Sequence, residues 1–172
     1  MTDTVALHKK DTPASARVAV VTLSDTRTLE NDVSGSTIKD LLTASGHRVM
    51  MHTVIADEAD AIRGALHALV ADPDLQLVVF NGGTGLAPRD VTVETVREMF
   101  DKELTAFGTM FAMLSWEQVG SACLLSRATA GVVKGRLVYC LPGSPKACKL
   151  AMEKLILPEI GHMLKQIGPL RP

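Results

Sequence analysis

The residues best suited to chemistry lie in one stretch, Asn81-Gly82-Gly83-Thr84-Gly85-Leu86-Ala87-Pro88-Arg89-Asp90-Val91-Thr92. Three glycines in four residues let the chain turn sharply and approach a ligand closely, because no Cβ blocks positive φ. The apolar run at 75–80 precedes them, and residues 93–100 read as the opening of a helix. A turn leading from a buried strand into a helix presents free N–H groups, which suit an oxyanion or a phosphate. Asn81 adds an amide that can donate to an anion, Arg89 a forked cation, and Asp90 a carboxylate for a metal ion. The competing reading is a tight strand-to-helix turn with no ligand. It suffices for a bare Gly-Gly pair, and the attached Arg-Asp favours the anion site.

Such a loop needs a sheet to hold it. Arg17 to Leu23 is a continuous β-rich run, predicted to be a buried parallel strand, and it ends in the polar cluster Ser24-Asp25-Thr26-Arg27. Ser34-Gly35-Ser36 opens a helix whose Ile38, Leu41 and Leu42 share one face, with Gly46 as its stop. Residues 48–55 read as a second strand, followed by Ala56-Asp57-Glu58 and a helix over 59–71 that Asp72-Pro73-Asp74 breaks. The order strand, helix, strand, helix, strand, loop, helix implies right-handed crossovers. It predicts an α/β fold with a mainly parallel sheet and helices on both faces. Ser24-Asp25, Asp57-Glu58 and the glycine loop then share the carboxyl edge of that sheet, where open α/β sheets bind ligands. Each acidic cluster is also what a helix N-cap would use.

Residues 100–120 carry Phe107, Met110, Phe111, Met113, Leu114 and Trp116 at partly helical spacing. Core packing is weighed ahead of a surface buried against another subunit. Residues 129–133 and 136–141, joined by Lys134-Gly135, read as a β-hairpin. The hairpin runs into a second turn, Pro142-Gly143-Ser144-Pro145, and a helix over 146–157, with Pro158 kinking it or starting another.

Composition closes off several functions. The 172 residues are read as one domain over 17–168, with a tail over 1–16. A net charge of −1 excludes a nucleic-acid partner held by bulk electrostatics, and 3% aromatics gives no base-stacking platform. The three cysteines, Cys123, Cys140 and Cys148, form no Cys-x-x-Cys pair, so neither a zinc site nor a disulfide framework is indicated. Reduced, inert thiols in a cytoplasmic protein are the expectation. Without an 18-residue apolar run or a signal segment, no membrane association is expected.

Three groups of residues together resemble the MoaB/MogA family of molybdenum cofactor biosynthesis proteins, on the MoaB side. They are Ser24-Asp25-Thr26 with Asp32-Val33-Ser34-Gly35; Asn81 to Gly85 with Arg89-Asp90-Val91-Thr92; and Leu141-Pro142-Gly143-Ser144-Pro145-Lys146-Ala147. The segments 108–115 and 122–130, with Ser126-Arg127-Ala128, are also similar to this family. The resemblance implies a three-layer α-β-α sandwich, a homotrimer or homohexamer, and binding of molybdopterin, a pterin with a dithiolene and a terminal phosphate. It implies that active members use Mg²⁺ and ATP to adenylylate that phosphate, releasing pyrophosphate, and pass the product to a MoeA-type metal-insertion partner. By motif, Asp57 and Asp90 match the two catalytic acidic positions and are expected to supply any carboxylate to Mg²⁺. Gly82, Gly83, Thr84 and Gly85, with Arg89, match the phosphate loop. Ser24 and Asp25 match the pocket lining, and Pro142, Gly143 and Ser144 a second phosphate- or nucleotide-side loop. Two alternatives stand beside this: a catalytically silent pterin-binding scaffold, and a different phosphate-ligand enzyme on the same superfold.

Overall fold

Six consecutive buried residues, Val18 to Leu23, make up all but the first position of β1 (Arg17–Leu23), the strand from which the sheet grows. The computed structural model describes residues 12–168. In chain order β1 is followed by α1 (Val33–Ala44), β2 (Arg48–Ile55), α2 (Ala59–Ala71), β3 (Leu77–Asn81) and α3 (Thr92–Arg97). Then come β4 (Lys102–Glu103), α4 (Thr105–Val119), a 3₁₀ turn (Gly120–Leu125), β5 (Thr129–Val133), β6 (Arg136–Leu141), α5 (Pro145–Ala151), a π-helical stretch (Met152–Ile156) and α6 (Ile160–Ile167).

The six strands form one sheet in the order β2-β1-β3-β6-β5-β4. β2, β1, β3 and β6 run parallel, while β5 pairs antiparallel with β6, and β4 with β5. Alternate side chains of each strand face opposite ways, so the sheet fills two cores. Val18, Val20, Leu77, Val79, Leu137 and Tyr139 pack with Ile38 and Leu42 of α1, Phe107 and Phe111 of α4, and the C-terminal helices. On the other face Ala19, Val21, Val78, Phe80 and Val138 meet Ile62, Leu66 and Leu69 of α2 and Val96 of α3. The three-layer α-β-α sandwich and the hairpin expected from the sequence are thus present.

From β1 the chain moves to β2 on one side and then crosses to β3 on the other. That reversal leaves a crevice at the carboxyl ends of β1 and β3, the place where open α/β sheets take ligands.

Several expectations need correction. The stripe on α4 is only partly core. Phe107 and Phe111 are buried, while Met110, Met113, Trp116 and Val119 are exposed, as are Leu124 and Leu125 just beyond. The last residue of the expected tail is packed, while residues 13–15 are exposed. Ala16 is fully buried, accepts from the amide of Arg48, and donates to His47 Nδ1 at 3.1 Å; residues 1–11 lie outside the described residues. The helix over 146–157 loosens after Ala151 into the π stretch, where the Leu157 amide reaches the Met152 carbonyl at 2.9 Å. Pro158 has no N–H to donate, and its ring would clash with a carbonyl four residues back, so a wider turn precedes it.

Candidate active site

Four strand exits converge on one cavity of 390 Å³. β1 contributes Ser24 and Arg27, β2 Asp57, β3 the turn Gly82-Gly83-Thr84-Gly85 with Arg89 and Asp90, and β6 Pro142 and Gly143. Ten of the twelve residues singled out in the sequence line it. Asp25 and Ser144 do not. Asp25 braces the rim, with Oδ1 accepting from the Asp57 amide at 3.2 Å and Oδ2 paired with Arg89 at 3.1 Å. Ser144 faces a neighbouring cavity, shared with Ser115, Gln118 and Lys146.

The turn after β3 takes this path because only glycine can. Gly82 has φ +110° and Gly83 φ +59°. A Cβ on Gly82 would overlap the Leu23 carbonyl, and one on Gly83 would overlap both the Asp57 carboxylate and the Thr92 hydroxyl. Thr92 closes the turn from the far side: its amide donates to the Gly83 carbonyl at 3.1 Å and its hydroxyl to the Gly82 carbonyl at 3.0 Å. The amides of Gly83, Thr84 and Gly85 have no acceptor among the described residues. They are orphan donors beside a cavity, the arrangement that binds anions. Asn81 is not among them. It is fully buried at the end of β3, and its Nδ2 donates to Thr22 Oγ1 at 2.8 Å, so its amide serves the core and not a ligand.

Asp57 is 8% exposed, and its Oδ1 has no hydrogen-bond partner. Burial pushes its pKa above the usual carboxylate range, and the negative charges of Asp90 and Asp25 push the same way, against smaller opposing effects of Arg89 and Thr92. A buried carboxylate with an orphan oxygen is costly unless something positive completes it. Asp90 lies at the other end of the glycine turn, its Oδ2 accepting from the Ala87 amide at 3.0 Å. No group of three His, Cys, Asp or Glu residues among the described residues makes a ready metal cage. Two carboxylates beside free amides instead suit Mg²⁺, which takes one or two protein carboxylates and fills its shell with phosphate and water.

Two arginines were not assigned roles in the sequence. Arg27 lines the cavity, donating through Nη1 to Ser34 Oγ at 2.6 Å and through Nη2 to the Gly143 carbonyl at 3.2 Å, so it ties the β1 exit to the β6 turn. Its place at the end of Ser24-Asp25-Thr26 was the available signal. Arg127 grips the glycine turn from behind, through the carbonyls of Thr84 and Gly85. Under the floor, Asp32 is buried and caps α1, accepting from the Gly35 amide at 2.9 Å, Thr22 Oγ1 at 2.5 Å, Ser34 Oγ at 3.0 Å and His52 Nε2 at 2.8 Å. A Cβ on Gly35 would strike Asp32, His52 and Thr22 together. That crowding explains the Asp-x-Ser-Gly spacing as a packing requirement.

All three cysteines are free and buried. Burial is the leading cause that pushes the Cys148 thiol up to about 12 and Cys140 higher still, so neither supplies a thiolate near neutrality.

A mainly parallel sheet with a glycine turn, orphan amides and two carboxylates at its switch point makes this an α/β protein with a crevice at the strand ends where open sheets take ligands. The profile of the family described as "probable molybdopterin binding domain" matches residues 19–162. The chain belongs to that family of molybdenum cofactor biosynthesis proteins. It is similar to molybdenum cofactor biosynthesis protein B of Halalkalibacterium halodurans, 43% identical over 164 residues, covering 95% of this chain and 96% of that one. A solved molybdenum cofactor biosynthesis protein B is 43% identical with a TM-score of 0.88, covering 90% of this chain and 97% of that one. A solved tungsten cofactor synthesizing protein MoaB from Pyrococcus furiosus is 35% identical with a TM-score of 0.82, covering 90% and 98%. Among the described residues, no helix is long and apolar enough to cross a membrane.

Proposed function

We propose that the chain acts in molybdenum cofactor biosynthesis by binding molybdopterin and adenylylating its terminal phosphate with ATP. The observation that carries this reading is the buried Asp57 carboxylate, with its orphan oxygen beside Asp90 and the unpaired amides of the glycine turn. In the reaction a pterin phosphate oxygen attacks the α-phosphorus of ATP. The new P–O bond forms as the bond to the α,β-bridging oxygen breaks, and pyrophosphate leaves with that electron pair. Negative charge grows on the bridging and equatorial oxygens, and preorganised donors stabilise it without a covalent intermediate. The amides of Gly83, Thr84 and Gly85 point donors at the phosphate chain. Arg89 leaves its exposed pairing with Asp25, which holds it only weakly, to neutralise a phosphate. Arg27, Ser24 and the Pro142-Gly143 turn line the opposite wall, and Ser144 faces the adjoining cavity. Asp57 and Asp90 would hold Mg²⁺, which supplies charge neutralisation at the transferring phosphoryl group when bound. The product is a substrate for a MoeA-type metal-insertion partner.

Incubation with molybdopterin, ATP and Mg²⁺ is expected to give adenylylated pterin and pyrophosphate in equal amounts. Asp90→Asn is expected to retain pterin binding and lose turnover. A parent that binds the pterin and yields neither product is the silent scaffold, and one that hydrolyses ATP without the pterin is a different phosphate-ligand enzyme. Either result overturns the proposal.

The same reading includes a homotrimer or homohexamer. Met110, Met113, Trp116 and Val119 on α4, continued by Leu124 and Leu125, leave an apolar surface of the kind that marks an interface. Light scattering is expected to give three or six times the chain mass. Trp116 is the only tryptophan and is 58% exposed in one chain, so its emission is expected to shift to the red when Met113→Lys dissociates the assembly. A monomeric parent removes the oligomer from the proposal.

A further inference from the structure

Arg127 does not line the cavity, yet it makes more bonds to the glycine turn than any residue that does. Its Nε donates to the Thr84 carbonyl at 2.9 Å and its Nη2 to the Gly85 carbonyl at 2.9 Å. The same guanidinium closes as a fork on Glu94 of α3, Nη1 on Oε1 and Nη2 on Oε2, the second at 3.1 Å. One planar group thus joins three pieces of chain: the turn, the helix that follows it, and the approach to β5. Lysine cannot reproduce this, since it has one nitrogen where arginine has a rigid fork of five donors. The hydrogen bond from Arg127 also holds the Glu94 carboxyl below its usual range.

The peptide plane turns this contact into a control on the pocket. In a trans peptide the C=O of one residue and the N–H of the next point in opposite directions. Fixing the Thr84 carbonyl toward Arg127 therefore aims the Gly85 amide away from it, and fixing the Gly85 carbonyl does the same for Leu86. Gly82 and Gly83 are at positive φ, and glycine turns have many other conformations open to them. Thr92 holds the Gly82 and Gly83 carbonyls and so orients the Gly83 and Thr84 amides. Arg127 holds the Thr84 carbonyl and so orients the third donor, the Gly85 amide, which nothing else fixes among the described residues.

We propose that Arg127, clamped by Glu94, is a positioning residue that holds the glycine turn in its anion-binding form and so sets affinity for the phosphate chain of the nucleotide without touching it. This rests on reading the turn as a phosphate cradle. The effect belongs to binding, so KM for ATP moves more than kcat.

The test measures amide exchange and ligand affinity on the full chain for the parent, Arg127→Lys and Glu94→Gln. In Arg127→Lys, peptides covering residues 82–92 are expected to exchange about tenfold faster, with the strands of the sheet unchanged. ADP, titrated calorimetrically, is expected to bind about tenfold more weakly, a loss of ~1.4 kcal/mol. Glu94→Gln keeps the two carbonyl bonds and loses the ionic fork, so it is expected to fall between the two. It also serves as the second variant if Arg127→Lys folds poorly. Parent-like exchange at 82–92 in both variants overturns the proposal. Faster exchange with unchanged ADP affinity overturns it too, because the grip is then structural only. A parent that binds neither ADP nor pyrophosphate overturns the phosphate reading and with it the ligand half of this proposal, while exchange still decides whether Arg127 holds the turn.

Discussion

Asp57→Asn is expected to raise the melting temperature at pH 7 by about 2–4 °C while lowering adenylyl transfer by about 10²–10³-fold. The two effects have one origin. The Asp57 carboxylate is buried, one oxygen is unpaired, and Asp90 and Asp25 add like charge. Its folded pKa lies above its ordinary value of 3.8, so the folded chain binds this proton more tightly than the unfolded chain does. The stability penalty is therefore absent below pH 3.8, grows as pH rises toward the folded pKa, and is complete above it. The neutral amide removes the penalty, and ~1 kcal/mol corresponds to about 2–4 °C in a chain of this size. The gain over the parent should then narrow as the scan is moved from pH 7 toward pH 4. Mg²⁺ should raise the melting temperature of the parent and leave the variant unmoved. Loss of one preorganised electrostatic group from a phosphoryl-transfer site costs catalysis about the amount stated. Scanning calorimetry across pH, with and without Mg²⁺, and a pyrophosphate-release assay check both halves. A variant less stable than its parent at pH 7 would show that Asp57 is a structural carboxylate and not a functional group held at a cost.

The parts legible in the sequence are those where one physical rule acts alone. β1 and α2 begin and end where the apolar runs and the Asp-Pro break place them, because a strand buried on both faces or a helix with one apolar stripe leaves no competing pattern; β2 also keeps its expected bounds, though as an edge strand none of its residues is fully buried. Gly46 was readable as a stop for the same reason. It sits at φ +82°, with the His47 amide returning to the Leu42 carbonyl at 2.9 Å. β4 was not readable. It is two residues long and exists only because Lys102 and Glu103 find Val132 and Gly131 across the sheet. β3 starts later than its apolar run, since Leu75 belongs to the turn whose amide bonds the Asp72 carbonyl. It ends on a polar residue that a strand reading would discard, and Asn81 is tolerated there because Thr22 stands opposite it.

The site divides the same way. Strand exits were visible one by one, and parallel crossovers force them to a common edge, so ten of the expected residues share the cavity. What the sequence hides is the direction in which a long side chain reaches. Asp25 was read as a pocket group, but it stands at the rim, paired with Arg89, which does line the cavity. Arg27 and Arg127 act on carbonyls distant in the chain, at Gly143 and at Thr84 and Gly85, and no local spacing rule encodes such a partner. The α4 stripe fails for a related reason. Apolar residues look alike whether they meet their own sheet or another surface, and only the packed chain shows that Phe107 and Phe111 do the first while Met113 and Trp116 do not.

Asp32→Ala should be the most destabilising single change in the pocket floor, lowering stability by about 3–5 kcal/mol, the usual loss when one partner of a buried charged network is removed. Burial alone would push the Asp32 pKa up, but hydrogen bonds from Thr22, Gly35, His52 and Ser34 outweigh it and hold the value below 3.8. The alanine variant strands all four donors and removes the cap of α1. Thermal unfolding at pH 7 is expected at about 10 °C below the parent, from ~2–4 °C per kcal/mol. The sign with pH is opposite to that of Asp57. A depressed carboxylate stabilises the fold above its unfolded pKa, and the contribution is lost as pH falls through the folded value. The gap between Asp32→Ala and parent should therefore hold from neutrality down to about pH 4 and shrink only in stronger acid, whereas the gap for Asp57→Asn is already closing there. Function should follow through Arg27. Ser34 Oγ is held by Asp32 and in turn holds Arg27, which reaches the Gly143 carbonyl. Asp32→Asn keeps an acceptor for the Gly35 amide but turns an NH₂ toward Thr22 or His52, so it should sit between parent and alanine in both stability and ligand affinity. An alanine variant within 1 °C of the parent would mean that this network is filled by water when opened, and that the Asp-x-Ser-Gly spacing serves something other than the floor of the pocket.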